Sequence, residues 1–286
     1  MKFSLAFSPC PNDTFIFDAL VNHKIDTEGF EFDVHLQDVQ TLNEWARAEK
    51  MDFSKISYGV LPLISDNYSV LGSGGALGMG VGPLLVCRQD ADLTLVPGSG
   101  GKYFTVPSST KIAIPGANTT AHLLFSLALP EHRNKVFKVF HEIEDAVLSG
   151  EVDAGVIIHE NRFTYQHKGL IKLIDLGAYW EQTIKVPIPL GGIVVRRTID
   201  AAIAGKVNSL IRNSIEYAFT HYPQIAEYVK QHSQEMSEAV MKQHIDLYVN
   251  QYSIDLGADG RRAVEKLLEI GGFNNTGKDP VFSNFS

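Results

Sequence analysis

The sequence is poor in the features that mark several large protein classes. It has two cysteines, Cys10 and Cys87, too few for the disulfide framework of a small secreted protein. Acidic side chains outnumber basic ones by 33 to 25, and the formal net charge of −8 argues against a general nucleic-acid binder. No run reaches the roughly 18 apolar residues of a membrane span, and the segment before Pro9 is too short for a signal-peptide core. We therefore expect a cytoplasmic protein with no nucleic-acid partner and no membrane span.

Common cofactor motifs are missing as well. The ten histidines form neither H-E-x-x-H nor a Cys-His cluster, and the glycine-rich stretch at 72–82 lacks the G-x-G-x-x-G spacing. We therefore expect no metal and no cofactor. What the chain does have is length and apolar content: 286 residues with 44% hydrophobic side chains suit two domains of ordinary size, each with its own core.

Short apolar runs alternate with helical patterns along the chain. Strands are predicted at 3–7, 30–36, 52–57, 84–88, 111–114, 154–158 and 191–196, and helices at 14–22, 41–49, 119–129 and, for the most part, after 200. Strands separated by helices at this spacing predict mixed sheets with helices on both faces.

The most distinctive segment is Ser8-Pro9-Cys10-Pro11-Asn12-Asp13-Thr14-Phe15, between the first strand and the first helix. This helix is predicted to be amphipathic, with Phe15, Ile16, Ala19 and Leu20 along one apolar side. Its two prolines fix the backbone, and Asn12 and Asp13 are both residues that cap helices. The first helical N–H groups would then point past the strand end, where they can hold an anion. The plain alternative is a well-formed strand-to-helix connection.

His159 follows the apolar run at 154–158, at the carboxyl end of a predicted strand, where ligands of open α/β sheets bind. An imidazole with a pKa near neutrality is the usual group for moving a proton, so His159 is the candidate general base. The alternative is a structural histidine at a strand end. Its neighbour Glu160 is a weaker candidate to orient it, because neighbours on a strand point to opposite faces.

Two more segments present polar groups after predicted strands. In residues 115–121 a glycine turns the chain and Asn118 or Thr119 can cap the next helix, so that the N–H groups of Thr120 and Ala121 could hold a carboxylate. In Lys55-Ile56-Ser57, the lysine can balance a carboxylate and the serine can donate to an oxygen. The alternatives are ordinary capping and a solvent-facing lysine.

Together these segments resemble the 1,4-dihydroxy-6-naphthoate synthase family of the futalosine route to menaquinone. The resemblance rests on the octapeptide at 8–15, the segments at 55–58 and 73–83, the paired threonines, the segment His159-Glu160-Asn161-Arg162 and the return at 190–196. Residues 90–110 do not match. The resemblance implies that His159 is the general base and that Lys55, Ile56 (through its backbone), Ser57, Thr120 and Ala121 bind the substrate. Thr119 and Asn12, from the two capping segments, are further candidate substrate-binding residues.

The resemblance also implies a two-lobed type II periplasmic-binding-protein-like α/β fold with an interdomain cleft. We expect a larger domain formed by residues 1–88 and 194–286 and a smaller inserted domain at 89–193, with strands at 84–88 and 193–196 as the crossings.

The implied activity is that of a carbon–carbon lyase. It would convert cyclic dehypoxanthine futalosine, an aromatic carboxylate, to 1,4-dihydroxy-6-naphthoate and a small hydroxyketone of the dihydroxyacetone type. Two alternatives stay open: a non-catalytic solute-binding protein for a small or aromatic carboxylate, and a chorismate dehydratase-like sibling on the same fold. The oligomeric state does not follow from the sequence.

Overall fold

The chain folds as two units with separate sheets. A computed structural model describes residues 1–98, 101, 103–233, 237–273 and 281–283. Unit 1 consists of Met1–Gly78 and Pro189–Ser286, and unit 2 of Met79–Ile188. Unit 2 therefore begins at Met79 and ends at Ile188, whereas the sequence predicted an inserted domain at 89–193.

Strands and helices alternate in residues 1–57 and again in residues 112–196. The strands are β1 (Lys2–Phe7), β2 (Glu31–Leu36), β3 (Phe53–Ser57), β4 (Tyr68–Val70), β5 (Ala76–Gly78), β6 (Leu84–Arg88), β7 (Val96–Pro97), β8 (Phe104–Thr105), β9 (Ile112–Ile114), β10 (Lys135–Phe137), β11 (Ala154–Ile157), β12 (Leu170–Asp175) and β13 (Ile188–Arg196). The helices are α1 (Pro11–Val21), α2 (Val39–Arg47), α3 (Thr120–Ala128), α4 (Ile143–Leu148), α5 (Asn161–Thr164), α6 (Leu176–Ile184), α7 (Ala201–His221), α8 (Glu227–His232), α9 (Glu238–Tyr248), α10 (Gln251–Ile254) and α11 (Gly257–Ile270).

The sheet of unit 1 is mixed, as predicted. Its order is β2-β1-β3-β13-β4, and β5 pairs with β13. Strand β1 runs parallel to β2 and β3, whereas β13 runs antiparallel to β3 and β4. Successive side chains of a strand point to opposite faces, so Leu5 and Phe7 pack into the core formed with α1 and α7 while Ala6 packs against Leu42 of α2. Helices therefore cover both faces of β1.

Helix α1 is buried on all sides. The sequence predicted an amphipathic helix with one apolar face, but every residue from Pro11 to Leu20 is buried, because α1 packs against α7, α8 and α9 as well as β2. A helix enclosed in this way must find partners for its polar side chains. The Thr14 hydroxyl donates to the Cys10 carbonyl (3.1 Å), and the Asp18 carboxylate accepts from Lys24 (2.6 Å) and Asn22 (2.8 Å).

Unit 2 has its own mixed sheet. Its order is β10-β9-β11-β6-β12, and β7 and β8 form a separate hairpin. The sequence placed β6 at a crossing between the domains, but β6 pairs antiparallel with β11 and β12 inside unit 2. Helix α4 packs closely on β11 at Gly155, where a Cβ atom would lie 2.4 Å from Ile143 Cγ2. This contact fixes α4 against the strand that leads to His159.

The elements of unit 2 that were absent from the sequence prediction include β7, β8, β10, α5, β12 and α6. None of the helices in the described ranges has both the length and the apolar composition to cross a membrane.

Candidate active site

In unit 1 the predicted residues Asn12 and Lys55 meet in one buried hydrogen-bonded group, here called the Asp13–Lys55 cluster: Ser8, Asn12, Asp13, Lys55, the carbonyl of Gly74, and His244. Strands β1 and β3 are parallel neighbours, so the loop after β1 and the end of β3 lie at the same edge of the sheet. The Lys55 Nζ atom lies 2.8 Å from Asp13 Oδ1 and 3.3 Å from the Gly74 carbonyl oxygen. The sequence analysis selected the segments that contain Asp13 and Lys55 but did not predict the ion pair between these two residues.

Asp13 does not cap α1. The N-cap residue is Cys10, with Pro11 following it, and the Cys10 side chain makes no capping hydrogen bond. The Asp13 carboxylate instead accepts from the backbone N–H (3.2 Å) and hydroxyl (2.7 Å) of Ser8 and from the Asn12 amide (2.8 Å). The negative charge expected of a bound anion at this helix start is thus supplied by the protein's own carboxylate, which the macrodipole of α1 favours.

Lys55 is not a solvent-facing lysine. Its side chain is 7% exposed and that of Asp13 is 2% exposed, so both charges are removed from water. Burial of this kind is tolerated when the charges are paired and hydrogen-bonded. An ammonium has three N–H groups, and those directed at Asp13 and Gly74 hold Lys55 in one orientation.

His244, which the sequence analysis did not identify, completes the cluster. It lies on α9 and is buried, and its Nε2 atom is 2.9 Å from Asn12 Oδ1. An amide oxygen only accepts, so this imidazole nitrogen donates. Asn12 therefore links His244 to Asp13 through its two amide atoms. Because residues 12 and 244 are so far apart in the chain, no local pattern could have indicated the contact.

Ile56 and Ser57 continue β3 beside a glycine pair on β13. The backbone N–H of Ser57 donates to Asn43 Oδ1 (2.9 Å), and the Ile56 side chain is fully buried. A Cβ atom on Gly191 would lie 2.5 Å from the Ile56 carbonyl oxygen, and one on Gly192 would lie 2.4 Å from the Tyr58 hydroxyl oxygen. The glycine pair predicted as the start of the return strand is thus required by the close approach of β13 to β3.

In unit 2, residues 115–121 and His159 emerge from the same edge of the sheet, since β9 and β11 are parallel neighbours. Thr119 is the N-cap of α3: its hydroxyl accepts from the His122 N–H (3.1 Å) and donates to the Gly116 carbonyl (3.0 Å). The capping alternative is therefore what the structure shows for Thr119. Thr120 and Ala121 form the first turn of α3, and both are buried.

His122 stabilises this loop by a hydrogen bond to its backbone. Its Nδ1 atom lies 2.7 Å from the Ala117 carbonyl oxygen, so Nδ1 carries the hydrogen, and its Nε2 atom accepts from Lys135 Nζ (2.7 Å). Burial and, to a smaller extent, the positive charge of Lys135 lower the pKa of His122, although the hydrogen bond to Ala117 acts in the opposite direction. His122 is thus held as a neutral imidazole.

His159 occupies a strained turn two residues beyond the end of β11. Its φ is 54°, in the left-handed region, which costs a non-glycine residue about 1–2 kcal/mol. Such strain is characteristic of functional sites held in place by their surroundings. The His159 ring is half-buried and packs edge-on against the Phe140 ring, with centroids 4.9 Å apart.

The residues after His159 belong to the turn and to α5, not to a strand. The alternation rule applied to Glu160 in the sequence analysis was therefore wrong; Glu160 is buried in the turn itself. Arg162 braces the same segment, since its guanidinium donates to the Gly82 carbonyl and to Asp175 Oδ2 (2.9 Å). Asp175 also caps α6 with its other oxygen, which accepts from the N–H groups of Gly177 (2.9 Å) and Ala178 (3.0 Å).

The two units thus offer different chemistry. Unit 1 contributes a buried ammonium and hydroxyl groups, which suit the oxygens of an anionic ligand. Unit 2 contributes the start of a helix and an imidazole on a fixed turn, which suit anion binding and proton transfer.

Comparison with known proteins identifies the family. The family described as Menaquinone biosynthesis matches residues 3–272. A 1,4-dihydroxy-6-naphthoate synthase from Thermus thermophilus is 41% identical over 264 residues, with 92% of each chain covered. One from Streptomyces coelicolor is 43% identical over 270 residues, which cover 92% of this chain and 90% of the relative.

Solved structures show the same fold. The protein AF1704 from Archaeoglobus fulgidus superposes with a TM-score of 0.85 at 31% identity, covering 95% of this chain and 97% of that one. CA3427 from Candida albicans, described as having the generic periplasmic-binding-protein fold, superposes with a TM-score of 0.66 at 13% identity, covering 95% and 90%. The expected fold class is confirmed, and the chain belongs to the menaquinone-biosynthesis family.

Proposed function

We propose that this chain is a carbon–carbon lyase of the 1,4-dihydroxy-6-naphthoate synthase type, acting on cyclic dehypoxanthine futalosine. The observation that carries this assignment is the identity of 41–43% to two synthases of that name over 92% of the chain. His159, on a strained turn at the carboxyl edge of the unit 2 sheet, gives the reaction a candidate base.

Neutral His159 removes a proton from the substrate and so opens its spiro ring system. A retro-aldol-like carbon–carbon cleavage follows, driven by aromatisation of the new ring, and yields 1,4-dihydroxy-6-naphthoate and a small hydroxyketone. The His159 imidazolium returns its proton to the products, so the base is regenerated and the protons balance. The electrons stay within the substrate throughout, so the chemistry calls for no redox cofactor. A well-placed general base contributes about 10²–10⁴-fold to such a rate.

The substrate carboxylate and hydroxyl groups are assigned to Lys55, Ser57, the backbone of Ile56, and the first turn of α3 at Thr120 and Ala121. The ion pair with Asp13 fixes the direction of the Lys55 ammonium, which supports its role toward an oxygen anion. Asn12 and Thr119 both make hydrogen bonds within the protein, so we assign them a supporting role beside the groups that bind substrate. We also retain a cytoplasmic location as part of this proposal.

Anaerobic incubation with cyclic dehypoxanthine futalosine tests the assignment. Wild-type protein should release the naphthoate, followed by mass and absorbance. His159→Ala should bind the substrate in calorimetry yet lose at least about a hundredfold in turnover. Full turnover by His159→Ala would leave the lyase but remove His159 as its base. Binding without turnover by the wild type would favour a solute-binding protein instead.

A further inference from the structure

Glu144 is a buried carboxylate that the chemistry proposed above does not use. It lies on α4 and is 1% exposed. Its Oε2 atom accepts from Asn161 Nδ2 (2.7 Å) and from Lys168 Nζ (2.6 Å), whereas Oε1 is buried and has no hydrogen-bond partner among the described residues. Burying a carboxylate costs free energy unless hydrogen bonds compensate it, so we expect the hydrogen bonds of Glu144 to hold a neighbouring segment in place.

The Asn161 contact lies two residues after His159. Asn161 begins α5, directly after the turn in which His159 takes its left-handed φ of 54°. Phe140, four positions before Glu144, packs its ring against the imidazole at 4.9 Å. The segment that contains Phe140 and Glu144 thus holds the His159 turn at two points. Phe140 packs against the His159 ring, and Glu144 holds the backbone after His159 through its hydrogen bond to Asn161.

That segment is itself firmly held. Ile143 and Val147 of α4 lie so close to Gly155 of β11 that a Cβ there would be 2.4 Å and 3.0 Å from their methyl groups. The position of the Glu144 carboxylate is therefore fixed relative to the strand that ends before His159. Within the part of the chain that the structure describes, the other side-chain hydrogen bonds of α5 are those of Arg162 to Asp175 and Gly82, one residue farther from the imidazole.

We infer that Glu144 is a positioning residue: through Asn161 it keeps the His159 turn in its strained conformation and so aims the imidazole at the substrate. The inference rests on the proposed function, in which His159 is the base. Glu144 acts through the hydrogen bond that its oxygen accepts, and its negative charge is secondary.

Turnover of cyclic dehypoxanthine futalosine by a set of variants tests this role. Glu144→Leu and Asn161→Ala remove the hydrogen bond from its two sides, and each should lower kcat about 10- to 100-fold with KM little changed, as a displaced catalytic group does. The double variant should be no slower than the slower single variant, because both changes remove one interaction. Glu144→Gln keeps an oxygen that accepts from Asn161 and should retain most of kcat. Asp145→Leu, the same kind of change at the exposed neighbouring position, is the matched control.

A readout without turnover separates this inference from the proposed function. The backbone amide resonance of His159 should shift in folded Glu144→Leu and Asn161→Ala but not in Asp145→Leu. Wild-type protein that does not turn over the substrate would sink the proposed function, whereas an unmoved resonance in these variants would overturn the positioning role by itself. Three other results would also overturn the positioning role: wild-type kcat in both single variants, losses that multiply in the double variant, or a kcat of Glu144→Gln as low as that of Glu144→Leu. If Glu144→Leu does not fold, as judged by circular dichroism, Asn161→Ala and Glu144→Gln decide the question.

Discussion

Breaking the Asp13–Lys55 pair should be costly from either side, but unequally. Both side chains are almost completely buried and their charged atoms are 2.8 Å apart. Removing one partner from a buried pair costs about 3–5 kcal/mol, because the other charge is left without compensation. The hydrogen-bond partners that the remaining charge keeps decide where in this range each variant falls.

The carboxylate has more remaining partners than the ammonium. In Lys55→Met, Asp13 still accepts from the backbone and hydroxyl of Ser8 and from Asn12, so we expect a loss near the low end, about 3 kcal/mol. In Asp13→Asn, the Lys55 ammonium keeps neutral acceptors alone, the new amide oxygen and the Gly74 carbonyl at 3.3 Å, and the new NH2 group is set against the Ser8 N–H, which is also a donor. We therefore expect about 5 kcal/mol. The double variant has no buried charge at either position and should lie within about 2 kcal/mol of the wild type.

Urea unfolding measures these differences. The chain has two tryptophans: Trp45 packs against the Ala6–Leu42 core of unit 1, and Trp180 is buried in unit 2. A Trp180→Phe background shared by all variants makes Trp45 fluorescence a reporter of unit 1. The reasoning would be refuted by a double variant as unstable as the sum of the two single changes, or by a Lys55→Met loss larger than that of Asp13→Asn.

Two further predictions concern Gly74 and His122. Gly74 has a φ of 85°, and a Cβ atom there would lie 2.5 Å from Ile193 Cγ1, whereas a Cβ atom on Gly29, with a φ of 77°, would have nothing within 4 Å. In urea unfolding, Gly29→Ala should lower the free energy of unfolding by about 1–2 kcal/mol through backbone strain, and Gly74→Ala by about 1–3 kcal/mol more through overpacking. Equal losses in the two variants would contradict the expected crowding at Gly74. Burial lowers the pKa of His122 from its ordinary value of 6.5. As the pH falls below 6.5, the unfolded chain therefore takes up a proton at this residue before the folded chain does. The stability that neutral His122 contributes is complete above pH 6.5 and is lost as the pH falls toward the folded-state pKa. The unfolding midpoint between pH 8 and 5 should therefore fall less steeply in His122→Asn than in the wild type, and parallel pH profiles would show that His122 does not carry the effect.

The sequence predicted best what depends on local spacing. The strands β1, β2, β3 and β13, the helices α1 and α2, the Thr119 cap and the position of His159 after a buried strand all follow from periodicity, turn residues and capping chemistry. These features involve residues a few positions apart. The periodicity of α1 was misleading, because an apolar stripe does not reveal that polar residues such as Asn12 and Asp13 will be enclosed as well.

Contacts between distant segments were beyond the sequence. Asp13 reads as a helix cap until β3 brings Lys55 beside it, and His244 reaches Asn12 from a helix near the other end of the chain. Glu144 likewise looks like a surface residue of a short acidic helix until α5 presents Asn161 to it. The identities of these residues are visible in the sequence, but their partners are set by tertiary packing.

The two units hold their candidate residues in different ways, and the difference has a consequence for how variants should be compared. Lys55 is part of a buried network that reaches into α1 and α9, so its loss removes stability together with any contact to substrate. His159 is half-buried on a turn with a left-handed φ. A loss of turnover in His159→Ala is judged against substrate binding by the same variant, whereas a loss in Lys55→Met must be judged against the Asp13→Asn/Lys55→Met double variant, which lacks the same ammonium but leaves no unpaired carboxylate. If the double variant recovers stability and not substrate affinity, Lys55 binds the substrate; if it recovers both, the lysine serves the fold alone.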